Sequence, residues 1–90
     1  MDLRTWRQKQ GLTLLELAHR LGIGGNNPSS QVSRIERGRH AVDALTAEKI
    51  VIVTNGQVSV LDLHNTRKAW MLENTQAAHQ AEHNSAEAGA

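Results

Sequence analysis

Side chains able to do covalent or metal chemistry are sparse in this 90-residue chain, and their spacing gathers them into no site. Cysteine is absent, which removes thiol nucleophiles, thiolate metal ligands and disulfides. Of the five histidines, His19, His40 and His64 stand alone. Only His79 and His83 are four apart, the spacing that puts two imidazoles on one helical face. No thiol or placed carboxylates accompany that pair, so no metal site is expected. Serine and aspartate are plentiful, yet no nucleophile, base and orienting group fall into a pattern. Gly22, Gly24 and Gly25 lack the strand and the lysine of a phosphate-binding loop. The expectation is a non-enzyme without metal or cofactor. What remains is a cluster of arginines and small polar residues between positions 29 and 40, able to hydrogen-bond a polyanion without transforming it.

The charge distribution sharpens this. The chain holds 10 Lys and Arg against 9 Asp and Glu, a net charge of +1. Residues 1–40 carry seven basic and three acidic side chains, a net +4. Residues 41–90 carry three basic and six acidic, a net −3. One basic half and one acidic half suit a molecule with one face toward a polyanion and another facing elsewhere. The length allows a single domain with a small core. No stretch approaches the roughly 18–20 apolar residues of a membrane span. The start, Met1-Asp2-Leu3-Arg4, does not read as a signal peptide, so a cytoplasmic protein is expected.

The elements that must position the polar cluster are short helices. Residues 2–10 predict the first, with Asp2 at its start, Leu3, Trp6 and the Arg7 stem on one face, and Gly11 ending it. Thr13 and Glu16 have the spacing of a capping box, and Leu12 and Leu17 that of a hydrophobic staple. The helix they open carries Leu14, Leu17, Ala18 and Leu21 on one stripe and stops at Gly22, with Ile23 as an apolar plug. Residues 24–27 form a loop. Asn27 as N-cap and Pro28 at the first helical position open a third helix, with Val32 and Ile35 inward and Gly38 at its end. A helix that turns small polar residues and an arginine outward suits a DNA major groove about 12 Å wide.

A fourth helix is expected over 43–53, with Asp43 as cap and Leu45, Ala47, Ile50 and Val51 facing the core. The β-branched run Ile50 to Val53 competes as a strand, with a hairpin across Asn55-Gly56. The other reading is a fifth helix capped by Ser59 and Asp62, with Leu61 and Leu63 packing. Beyond residue 64 the only large apolar residues are Trp70, Met71 and Leu72. Residues 66–84 favour helix, and the last six to eight are expected to fray. Trp6 reads as core. Trp70 reads as packing on the domain or on a second subunit.

Several spaced elements together resemble the Cro/repressor-type, or XRE-like, helix-turn-helix family. They are Arg7, Gly11-Leu12-Thr13, Leu17-Ala18, Leu21-Gly22-Ile23 and Val32-Ser33-Arg34-Ile35-Glu36-Arg37-Gly38. The resemblance covers about residues 1–54, and Ile50 to Leu63 is similar to the ending of small phage-type regulators. It implies an all-α, compact four- to five-helix bundle with a helix-turn-helix, followed by a partly helical tail, and it favours helices over the hairpin. By the same resemblance Ser29, Ser30, Gln31, Ser33 and Arg34 lie on or beside the recognition face, with Arg34 as the principal base reader. Arg7 would pair with Glu36. Arg39 and His40 would contact phosphates, with Arg37, Asn27 and Thr13 as further phosphate contacts.

Two departures stand out. Eight residues separate Ile23 from Val32, about four more than the family usually has, so the turn is lengthened at residues 24–27. Leu14 stands where the family often has a phosphate-holding glutamine, and Thr13 or a helix N-terminal amide would have to substitute. The expected organisation is a DNA-binding domain over 1–63 and a tail over 64–90. The expected function is a repressor that binds double-stranded DNA as a homodimer on a palindrome. The competing reading is an antitoxin-like or other interaction module whose C-terminal segment holds a partner protein.

Overall fold

The computed structural model describes the backbone of residues 1–89 and the side chains of residues 1–75. Five helices follow in order: α1 Leu3–Lys9, α2 Leu14–Arg20, α3 Pro28–Arg37, α4 Ala44–Val53 and α5 Val60–Gly89. No strand interrupts them among the described residues. The fold is an all-α five-helix bundle whose last helix extends as a C-terminal projection.

Local chemistry sets most helix boundaries. The Thr13 hydroxyl accepts the Glu16 amide at 3.1 Å, and the Glu16 carboxylate accepts the Thr13 amide at 3.1 Å, so each satisfies one orphan donor at the start of α2. Ser59 and Asp62 repeat this reciprocal pattern before α5, at 3.0 and 2.9 Å. Asp43 caps α4 by accepting the Thr46 amide at 2.8 Å. Asp2 and Asn27 occupy the N-cap positions of α1 and α3, but neither side chain makes a cap hydrogen bond.

The core is one cluster. Leu3 and Trp6 of α1, Leu17 and Ala18 of α2, Val32 of α3, Ala47 and Ile50 of α4, and Leu63 of α5 meet in it, joined by Leu12, Leu21 and Val58 from the connectors. Leu14, Ile23, Ile35, Val42 and Val53 pack around its edge.

The run 50–53 is helical, and burial shows why. Ile50 is fully buried, whereas Ile52 is 68% exposed. A strand would place these two on the same face. The buried positions are Ala47, Ile50 and Thr54, which is helical spacing. Asn55 and Gly56 do make a turn, with φ of 53° and 78°. It ends α4 and leads to α5, so no hairpin forms. Buried Thr54 organises the turn, its hydroxyl accepting the Val58 amide at 3.1 Å and donating to the Val51 carbonyl at 3.3 Å.

Some sequence expectations for this region do not hold. Leu45 and Leu61 are 60% and 64% exposed, and Val51 is only half-buried. The two helices meet through Ala47, Ile50 and Leu63, which turns Leu45 and Leu61 to solvent. The C-terminal helix begins at Val60 and continues to Gly89.

Candidate nucleic-acid interface

Helices α2 and α3 pack through fully buried Leu17, Ala18 and Val32, with Leu21 closing the junction. This fixes which side of α3 faces outward. Ser30, Gln31, Arg34 and Arg37 are exposed, and Ser29 and Ser33 are half-exposed at the margins. Positions 30, 34 and 37 follow i, i+4, i+7 spacing, so they form one stripe along the helix. Ten residues of helix span about 15 Å, enough to lie in a groove and present several side chains.

Behind the stripe, α3 is tied to α1. Arg7 donates from Nε to Glu36 Oε2 at 2.6 Å and from Nη2 to Oε1 at 3.2 Å. Its third contact, from Nη1 to the Leu12 carbonyl at 3.0 Å, reaches the α1–α2 turn. The hydrogen bond to Glu36 raises the Arg7 pKa further above its ordinary value. One guanidinium thus holds two helices and the turn beside them, with side-chain exposures of only 14% for Arg7 and 4% for Glu36.

Several acidic side chains of the domain are already engaged. Glu36 is consumed by Arg7. Glu16, Asp43 and Asp62 serve helix N-termini, where a negative charge is favourable. The capping hydrogen bonds hold the Glu16 and Asp43 carboxyls below their ordinary pKa. Among the described residues the ion pairs are Arg7–Glu36 and the Met1 amino group with Asp62. Arg34, Arg37 and Arg39 enter neither.

The remaining predicted residues surround the stripe. Arg39 and His40 are exposed just beyond α3. His40 borders a shallow hollow with Gln31, Ile35, Val42, Asp43 and Thr46. Asn27 is exposed at the start of α3. Thr13 is exposed, its amide and one hydroxyl lone pair already used by the capping box, so the hydroxyl proton is the donor it can still offer a phosphate.

A sequence model of the helix-turn-helix family matches residues 3–61. The chain belongs to that family, in its XRE/Cro-like branch. Helix-turn-helix domains of this kind are non-catalytic DNA-binding modules. No curated protein and no solved structure matches the chain.

In this helix-turn-helix domain α2 and α3 are the paired helices, and α3 carries the polar stripe. The lengthened turn is folded back on α3, with Gln31 Nε2 donating to the Gly24 carbonyl at 3.2 Å. Gln31 is therefore exposed but partly occupied, with its own carbonyl oxygen left for another partner. Leu14 lies half-buried in a cleft with Arg4, Arg7, Ser33, Glu36 and Arg37. Arg4 is the residue that sequence reading missed here. Its signal was present: it lies one turn before Arg7 on α1, hence on the same face.

No group of three or more His, Cys, Asp or Glu able to hold a metal occurs among the described residues. His79 and His83 lie outside the described side chains. No helix among the described residues is long and apolar enough to cross a membrane.

Proposed function

We propose that this protein is a cytoplasmic transcriptional repressor that binds double-stranded DNA sequence-specifically, as a homodimer on a palindromic operator. The observation that carries the reading is the exposed stripe Ser30, Gln31, Arg34 and Arg37, set on a helix whose nearest acid is already paired. In this reading α3 lies in the major groove. Arg34 reads a base edge, with Ser29, Ser30, Gln31 and Ser33 beside it. Thr13, Asn27, Arg37, Arg39 and His40 contact phosphates and set the docking angle. Residues 1–63 form the DNA-binding unit and residues 64–90 a tail that supports dimerisation or holds a partner. Two copies on half-sites about 34 Å apart supply the specificity that one small module lacks.

Selection of bound duplexes from a random library tests this directly. A two-fold symmetric motif is the expected result, and failure to enrich any motif removes the reading. On the selected site, Arg34→Ala should relax preference at one base position, worth roughly 1–3 kcal/mol of discrimination. Arg39→Ala should weaken all sequences alike and flatten the salt dependence.

One observation favours a second reading. On α5, exposed Met71 and Leu72 share an apolar hollow with His64, Arg67, Lys68 and Thr75. An antitoxin-like protein would cover that face with its partner while keeping the DNA-binding domain. A stable hetero-complex that survives Arg34→Ala would support this reading.

A further inference from the structure

Three helices of the domain end with one backbone closure. After Gly11, Gly22 and Gly38, each at positive φ, the next amide reaches back five residues: Leu12 to Arg7, Ile23 to Ala18 and Arg39 to Arg34, at 2.9–3.1 Å. Such ends commonly seat an apolar residue after the glycine against the last turn. Leu12 does so and is buried, and Ile23 packs on the edge of the core. The end of α3 departs from this pattern. Its residue after the glycine is Arg39, charged and exposed, which anchors nothing.

The anchor comes instead from α5. Arg67 donates from Nη1 to the carbonyl oxygens of Gly38, at 2.9 Å, and of Arg39, at 2.7 Å. These carbonyls lie at the negative end of the α3 dipole, where a cation is favoured. The Gly38 backbone presses on α5 so closely that a side chain there would run into the Thr66 carbonyl. The Arg67 guanidinium lies over the Trp70 ring, 5.3 Å from its centre, which orients its plane.

We propose that Arg67 is a positioning residue for DNA binding. It fixes the Gly38–Arg39 backbone from behind and so leaves the Arg39 side chain free to project toward a phosphate. Trp70 in turn holds Arg67. The inference rests on the reading of Arg39 as a phosphate contact, and it makes the first turns of α5 part of the grip on DNA.

Salt titration of binding to a random-sequence duplex tests it. Each phosphate contact contributes about 0.9 to the slope of log affinity against log salt. Arg39→Ala should remove about that much. Arg67→Met keeps the stem but loses the donors, and should lower the slope by a similar amount. The double variant should lose no more than either single one, because both act through one contact. Arg67→Lys should recover part of the loss. Lys68→Ala removes the same charge from the neighbouring residue and should leave the slope unchanged. Trp70→Leu, read the same way, serves if Arg67→Met fails to fold, and should shift the slope in the same direction. An additive double variant means that Arg67 contacts phosphate itself, and overturns the proposal. So does a silent Arg67→Met beside an effective Arg39→Ala. A silent Arg39→Ala overturns the phosphate-contact reading and this inference with it.

Discussion

At its C-terminal end α3 is held by two other helices: Arg7 of α1 grips Glu36, and Arg67 of α5 holds the carbonyls of Gly38 and Arg39. At its N-terminal end it is held far more lightly. Asn27 makes no cap hydrogen bond, and Gln31 reaches a loop carbonyl on the protein surface. The register of the recognition helix is thus set from its far end. Its near end, with the lengthened turn, has only the Gln31–Gly24 hydrogen bond to hold it from a side chain. In the proposed reading the firmly held end carries Arg37 and Arg39, two of the phosphate contacts that fix register and orientation.

The strongest way to break this contrast is to remove Glu36. Glu36→Ala leaves the part-buried Arg7 guanidinium without its partner, and should cost about 3 kcal/mol, the low end for a buried pair, in a urea unfolding experiment. Gly38→Ala should come next, at about 3 kcal/mol, because it combines left-handed strain with a collision against α5. Gly11→Ala is its internal control. Its φ of 68° is similar but nothing lies within 4 Å, so only the strain of about 1 kcal/mol should appear. The difference between the two isolates the α5 contact.

Smaller perturbations sharpen the picture elsewhere. Thr13→Ala removes one half of the α2 capping box and should cost about 1 kcal/mol in a thermal melt. Acid should erode another cap. The Met1 amino group and the Ser59 hydrogen bonds hold the Asp62 carboxyl at about 2, from an ordinary value of 3.8. A carboxyl depressed by folding stabilises the fold above its unfolded value and stops doing so as pH falls toward its folded value. The melting temperature should therefore fall between pH 3.8 and about 2, and less steeply in Asp62→Asn. The least effect on stability is expected from Gln31→Ala, a few tenths of a kcal/mol, as for an exposed neutral hydrogen bond. Its signature should be faster amide exchange confined to residues 24–27. Spread of that change to residues 37–40 would contradict the independence of the two ends.

Much of this was legible before folding. The Thr13–Glu16 box, the Asp43 cap and the glycine ends are signals spanning three to five residues, because they are hydrogen bonds between near neighbours. The helix-turn-helix was legible for the same reason, since apolar spacing in α2 and α3 names the buried faces and leaves Ser30, Gln31, Arg34 and Arg37 outside. The exposure of Leu45 and Leu61 is not legible in this way. An apolar side chain is buried only if some neighbour arrives to cover it, and in so small a domain none does. The run Ile50 to Val53 was ambiguous because β-branched residues suit either structure, and only the burial of Ala47, Ile50 and Thr54 separates them.

The sequence by itself determined the starts of α2 and α4 and the glycine ends of α1, α2 and α3, which residues of α3 are polar, and that the basic charge lies in the first half. Only the tertiary structure decided how α3 is aimed. Arg7 meets Glu36 and Arg67 meets Gly38 across 29 positions each. No local preference specifies such distant partners. They come together because burying Leu3, Leu17, Val32, Ile50 and Leu63 in one core brings α1 and α5 against the end of α3.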